Sequence, residues 1–383
     1  MSNGPQTSSG DITNWDWLAQ NCDKISGLSP LEREKAKRAF MFLKKELGVD
    51  FLISVLEKRH PIMFGIMNMV AWTRKYFIWF AEAMEELKSQ ENYSSFIARI
   101  KDTSKYLEAV SVLTEAHRFC QAGFSVEIDP LTGSSIPDLK IIDSETNEEI
   151  FVEVSMLFES KAKAEASSTF LQILNSLLGT SPFLHWSGRI HKTLSTSHCQ
   201  EVVEKIRAML QKVQKRGKIG EVNIRGIIEL AVAPDSDKSM LQKWADERQL
   251  KIGSFEGPPY DANEVVRVRR KIEREQKQLP VTGSNIVIIQ NNDIFDYLND
   301  IRKLISALEE EVYKYEHLLI VVVSGSHIGN GRIFNTMKDQ HIYVEKLQFD
   351  VIVYKHILLL NRFCKFRISP RLITKVYTAF MEH

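Results

Sequence analysis

Two acidic residues in the segment Ser135–Met156, SIPDLKIIDSETNEEIFVEVSM, have the setting that metal-assisted chemistry requires. Asp138 follows Pro137 at the start of one apolar run, and Glu153 sits near the middle of the next, EIFVEVSML. The polar stretch Asp143-Ser144-Glu145-Thr146-Asn147 between them reads as a turn, so the spacing predicts two adjacent strands joined by a hairpin. Carboxylates side by side on neighbouring strands offer hard oxygen ligands to a divalent cation, Mg²⁺ or Mn²⁺. Such a cation can activate water for phosphodiester cleavage. By strand alternation Ile136, Asp138 and Lys140 share one face; Glu153 and Ser155 share another, with Val152, Val154 and Met156 turned away. An ordinary amphipathic strand with a solvated face shows the same alternation. Favouring a working site, Glu153 is flanked by Phe151, Val152 and Val154, where an idle carboxylate is costly.

The elements that would position these residues follow from the surrounding texture. Residues Pro30–Gln90 read as helices: Ser29-Pro30 opens LEREKAKRAFMFLKKEL and Gly48 closes it. Trp72, Tyr76, Phe77, Trp79 and Phe80 are spaced as the packed side of a helix rather than as a base-stacking platform. A helix over Asp102–Ala122, stopped by Gly123, precedes strands at Phe124–Ile128, Ile136–Ile142 and Glu149–Leu157. Helices are then predicted near Ser160–Leu178, Gln200–Lys215, Ala262–Gln278 and Asp293–Tyr315. Strands are predicted at Ile224–Val232, Asn285–Gln290, His317–Ser324 and Phe349–Tyr354, with a closing helix at Pro370–Met381. The order is that of a mixed α/β domain whose strands pair first by hairpins and later by crossovers. It divides the chain into an N-terminal helical domain (1–100), a central domain (101–348) and a C-terminal strand and helix (349–383).

The strand order and the Asp138/Glu153 pattern resemble the PD-(D/E)xK (restriction-endonuclease-like) nuclease superfamily. The resemblance covers roughly residues 102 to 324, though few of these carry motif information. It implies an α/β fold with a restriction-endonuclease-like mixed sheet flanked by helices, with metal bound by Asp138, Glu153 and the main-chain carbonyl of Val154. It also implies a third acid from the preceding helix, for which Glu115 is the first choice and Glu108, one heptad earlier, the substitute. The signature lysine, two positions after the second acid, is Ser155 here. Serine cannot supply the positive charge that helps stabilise the phosphate. Lys140, on the Asp138 face, and Lys161 or Lys163 in the next helix are the candidates to replace it. The metal could also act alone with Ser155 orienting water, or the domain could bind without cutting. Such proteins often carry a basic helix facing the substrate. The run VRVRRKIEREQKQ matches, with Arg267, Arg269, Arg270, Lys271, Arg274 and Lys277 to neutralise phosphates. The alternative is a solvated helix whose Glu264, Glu273 and Glu275 pair with those cations internally.

Composition bounds the rest. Across 383 residues, Lys+Arg 50 against Asp+Glu 49 gives a net charge of +1, so nucleic acid is not held by bulk charge, although a local basic face is compatible with it. A second basic patch spans Lys205–Arg225. The cysteines Cys22, Cys120, Cys199 and Cys364 are far apart and support neither a disulfide framework nor a zinc site, which suits a reducing cytoplasm. No secretory signal is read in MSNGPQTSSG, and the apolar segment Pro61–Ala81 is broken by Thr73-Arg74-Lys75, so a buried helix is expected rather than a membrane span. His185, His191 and His198 with Cys199 match no metal-ligand spacing. The glycine-rich Ser324–Arg332 lacks the lysine of a nucleotide-binding loop and reads as a plain turn. The expected function is metal-dependent hydrolysis of DNA phosphodiesters by an endonuclease. The alternative is a catalytically inactive module of the same fold that binds nucleic acid or a protein. A second alternative is an interaction scaffold in which the aromatic-rich helices of residues 50–90 form the surface for a homo-oligomer or protein partner.

Overall fold

The computed structural model describes residues 12–132, 135–178, 183–260, 263–291, 293–295, 301–328, 334–338, 341–348, 352–366 and 368–382. The protein is a mixed α/β protein in two compact units, one formed by Met1–Leu157 with Glu264–His383, the other by Phe158–Asn263. Among the described residues no helix is long and apolar enough to cross a membrane.

The first unit begins with α1 (Trp15–Asn21), α2 (Pro30–Leu47), α3 (Phe51–Glu57), α4 (Met63–Met67), α5 (Ala71–Leu87), α6 (Tyr93–Lys101) and α7 (Tyr106–Gln121). Local signals set the ends of α2. Ser29 accepts from the Glu32 amide while the Glu32 carboxylate accepts from the Ser29 amide, and Pro30 needs no donor at the first helical position. Gly48 stops the helix at φ 90°, a conformation a side chain disfavours. The apolar segment Pro61–Ala81 is two helices with a break at Asn68–Val70, and of its two cations Arg74 is buried. Arg74 donates to the carbonyls of Gly65 and Ile66 at 3.2 and 3.5 Å, and its guanidinium lies 5.2 Å from the Phe40 ring centroid.

Strands β1 (Phe124–Ile128), β2 (Leu139–Asp143) and β3 (Glu149–Met156) form the expected antiparallel meander. After the second unit the chain returns through α11 (Glu264–Glu275) into β8 (Ser284–Gln290), which runs parallel to β3. Helix α12 (Ile301–Val312) leads to β9 (Leu318–Ile328), parallel to β8. Then come β10 (Phe334–Lys338), β11 (His341–Gln348), β12 (Ile352–Leu360) and α13 (Pro370–Glu382). The sheet order is β1-β2-β3-β8-β9-β12-β11-β10.

Alternation along the central strands makes two cores. Ile286 and Ile288 join Ile150, Val152 and Val154 in the core shared with α1–α7 and α13. Val287 and Ile289 join Phe151, Val268 and Ile272 in the core under α11 and α12. A strand buried on both faces reads as an unbroken apolar run, which is why NIVIIQ and HLLIVVVS were legible as strands.

The second unit holds α8 (Lys161–Leu178), β4 (Leu184–Ile190), α9 (Thr196–Arg216), β5 (Gly220–Ile224), β6 (Ile228–Pro234), α10 (Lys238–Glu247) and β7 (Phe255–Glu256). Its sheet order is β5-β6-β4-β7, and its apolar residues form their own cores. Gly188 is required in β4, because a Cβ there would meet the Glu229 carbonyl oxygen at 2.7 Å.

Several expectations are corrected. The chain does not divide near residue 100: the helices before that point share one continuous core with the sheet, so no separate apolar centre exists to make them a domain. The division falls instead after β3. The predicted strand at Ile224–Val232 is two strands, β5 and β6, folded at Gly226 with φ 70°. Ser324–Ile328 continues β9 rather than turning, and the rest of that glycine-rich run, 329–332, lies outside the described residues. Helices α1, α6 and α10 and strands β4, β7, β10 and β11 were not anticipated; α6 does keep a helical spacing, with Tyr93, Phe96, Ile97 and Ile100 buried, but over only nine residues.

Phe119 of α7 meets Phe124 of β1 and Phe380 of α13 edge-on, with centroids 5.7 and 6.0 Å away. Phe119→Ala is expected to destabilise the first unit by about 3–5 kcal/mol. Amides of α5 and β3 should then lose hydrogen-exchange protection together, because they share this core. Loss confined to one of the two elements would contradict it.

Candidate active site

Asp138 stands one residue before β2, and its Oδ2 accepts the Val154 amide of β3 at 2.9 Å. The bond clamps the start of β2 to β3 and holds the carboxylate beside Glu153. On β3 the alternation that sends Val152 and Val154 into the core turns Glu153 the other way. Glu153 is only 6 % exposed, and its Oε2 has no hydrogen-bond partner.

Helix α11 supplies the opposite wall. Burial of Val268 and Ile272 against β8 fixes its rotation and brings Lys271 and Glu275 into the pocket. The two are one turn apart, with Lys271 Nζ 2.9 Å from Glu275 Oε1. The same Oε1 accepts the Ser155 hydroxyl at 3.2 Å and the Arg274 guanidinium. Gln278 donates to Oε2. Arg99 of α6 approaches from a third side, its Nη1 3.9 Å from Asp138 Oδ1 while its Nη2 holds both oxygens of Asp129. The cavity so enclosed measures about 340 Å³, and Lys105 and Glu108 also line it.

The three carboxylates differ in charge state. Burial raises Glu153 to about 9, with the charges of Asp138 and Glu275 adding to the shift. Burial likewise raises Asp138 to about 7, although the Val154 amide and Arg99 pull against it. Burial acts on Glu275 too, but hydrogen bonds from Lys271 and Arg274 more than offset it, and its carboxyl is lowered. Besides Glu108, the pocket therefore holds one compensated carboxylate and two whose charged form burial disfavours. Among the described residues no group of three or more His, Cys, Asp or Glu is arranged to hold a metal ion. Two adjacent carboxylates, one with an orphaned oxygen, nevertheless fit an ion of the Mg²⁺ type, which uses one or two protein carboxylates and fills its other positions with water and substrate phosphate.

The expected site residues separate into those the fold brings together and those it does not. Asp138, Glu153, Val154 and Ser155 line the pocket, as do Lys271 and Arg274 of the basic helix. Glu115 does not. It is buried further along α7, 3.5 Å from Arg118 and 3.4 Å from Gln290. There it borders a separate cavity of about 20 Å³ with Ser324 and His356. The acid that α7 contributes is Glu108, because seven residues of helix advance about 10 Å along the sheet. Lys140 is held by Glu127 at 2.8 Å and Glu149 at 3.8 Å, away from the pocket. Lys161 and Lys163 belong to the second unit, where exposed Lys161 lies 3.8 Å from Glu165. Along the basic helix Arg267 pairs with Glu264, Arg269 with Glu311 and Lys277 with Glu273, leaving Arg270 exposed to solvent. The histidines have separate partners, His185 with Asp235, His191 with Glu229 and His198 with Ser195, while Cys199 is core. Arg99 and Lys105 were not foreseen. The only signal for Arg99 was its place in the short run FIARIK, whose helix was itself missed.

No protein-family model matches the chain, and no curated protein or solved structure matches it at a significant level.

A carboxyl whose pKa rises on folding binds its proton more tightly in the folded state. Stability from Asp138 and Glu153 is therefore full below the ordinary carboxylate range and is lost as pH rises through about 7 and about 9. Glu153→Gln removes the Glu153 share of this loss. Calorimetry should show the variant melting above the parent at pH 8, with the difference vanishing by pH 4. A variant less stable at pH 8 would contradict the assignment.

Proposed function

We propose that this chain is a divalent-metal-dependent nuclease that hydrolyses DNA phosphodiester bonds at the Asp138–Glu153 pocket. The observation that carries the reading is the buried, unpartnered Glu153 oxygen beside Asp138, in a cavity lined by Arg99, Lys105, Lys271 and Arg274. An unsatisfied buried oxygen costs about 1–3 kcal/mol, more when charged, so the fold bears a penalty that a cation would relieve. The order of α7, the β1–β3 meander and a crossover into parallel β8 supports a restriction-endonuclease-like PD-(D/E)xK core.

Asp138 and Glu153 would hold Mg²⁺ or Mn²⁺, with the Val154 carbonyl as the further ligand the resemblance implies. Bound there, the ion supplies Lewis acidity at the phosphate and a more acidic water. The chain's own contribution is electrostatic. Lys271 takes the place of the signature lysine that Ser155 lacks, and its ammonium is aimed by Glu275. Ser155 acts at one remove, its hydroxyl helping to fix Glu275. Arg99, Lys105 and Arg274 draw the phosphate chain into the pocket.

Purified protein incubated with plasmid DNA and Mg²⁺ or Mn²⁺ is expected to nick or linearise it, and the Asp138→Ala, Glu153→Ala double variant to leave it intact. Folded parent that binds DNA without cutting it under either metal would replace the nuclease with a binding module. Lys271→Ala should lower the cleavage rate by about 10²–10³-fold. Lys140→Ala should leave it unchanged, and the reverse ranking would return the ammonium to β2.

A further inference from the structure

The most basic stretch of the chain lies in the second unit. Between Lys205 and Lys218, KIRAMLQKVQKRGK carries six cations and no acid, in a protein whose net charge is +1. Helix α9 presents Lys205, Lys212 and Arg216 along one side, and Lys218 follows the left-handed Gly217 that ends the helix. These four exposed side chains border an open groove of about 560 Å³ between α9 and β5, in which Glu221 is the single acid. Among the described residues none of the four is ion-paired. The groove floor includes Met209, Val213 and Val222, which are already buried in the unit's own core. Ile219 and Ile224 add half-buried apolar surface to that floor, while the rim is cationic, with Lys205, Lys212, Arg216 and Lys218 outnumbering Glu221.

We infer that this groove is a second nucleic-acid site, one that holds the phosphate backbone of duplex DNA without reading its sequence. Eleven residues of α9 separate Lys205 from Arg216, about 16 Å of helix. One strand of B-DNA carries roughly five phosphates over that length, enough to engage four cations. Among the described residues no aromatic side chain lines the groove, so the stacking that single-strand binders rely on is absent from it. Helix-dipole compensation accounts for Lys215 and Arg216, which lie in the last turn, but not for Lys205 or Lys212. An acidic extended peptide added to the β5 edge would also meet these cations. The unbroken cation run, with Glu221 as the single acid in the groove, favours a continuous phosphate chain over such a peptide, and the polyglutamate probe below separates the two.

The inference stands independently of cleavage and is tested on the full chain carrying Glu153→Gln, by fluorescence anisotropy with a labelled 30-base-pair duplex. Replacing Lys205, Lys212, Arg216 and Lys218 by Ala should weaken binding more than tenfold at 0.1 M salt. It should also flatten the slope of log K against log salt by about 3–4, since each phosphate contact contributes roughly 0.9. Replacing Lys238, Lys243 and Lys251 of the same unit should change neither quantity. Circular dichroism confirms that each variant is folded. Unchanged affinity and slope in the fourfold variant overturn the inference. So does loss of binding to a polyglutamate probe with duplex binding intact, which would assign the groove to an acidic protein. If the duplex depends on the four cations but plasmid is never cut, the groove stands and the nuclease reading falls.

Discussion

Burial of β8 on both faces is the constraint from which the site follows. Six of its seven residues are buried, so a layer of helices must cover each side of the sheet. Helix α7 and its N-terminal neighbours form one layer, and α11 and α12 form the other. A parallel β3–β8 pair cannot be joined by a tight turn, so the chain leaves β3, crosses and returns through α11. The helix that seals the second core therefore places its cations and Glu275 against the residues following Glu153. Packing requirements and placement of charged groups are one event here.

That geometry distributes the pocket's hydrogen-bond donors unevenly among its acids. Glu275 accepts from four side chains, Lys271, Arg274, Ser155 and Gln278. Glu153, two residues before Ser155 on the same strand, keeps an oxygen with no partner. The asymmetry is informative because a stability-optimised core would replace Glu153 by an apolar residue or give it a donor. Such carboxylates, costly in the isolated protein, are the observation on which the proposed cation-assisted site rests.

The excursion between β3 and α11 is a unit in its own right, with a four-stranded sheet and separate cores. A long insertion at a crossover adds little loop-closure cost, since that cost grows only with the logarithm of length. The insertion keeps its own charge character: the chain as a whole is nearly neutral, whereas the second half of α9 is uniformly cationic. Net charge is thus a poor guide to local charge, because it averages a basic helix against acids placed elsewhere.

The meander, the side of β3 on which Glu153 lies, the ends of α2 and the apolar strands β8 and β9 were all determined by local residues. Alternation, capping and turn chemistry act over a few positions and survive any tertiary arrangement. Which groups meet across the pocket was decided only by packing. Glu108 and Glu115 lie one heptad apart on the same side of α7, and periodicity cannot choose between them. The choice depends on how far the helix slides along the sheet before its buried side chains interlock. Lys140 carries the right charge on the right strand, yet Glu127 and Glu149 on its two neighbouring strands capture it. Lys271 lies far from Asp138 in sequence and reaches the pocket because the apolar side of α11 fixes the helix's rotation. Residue type and spacing established that an acidic pair existed; only side-chain packing between distant elements determined which cation and which third acid would face it.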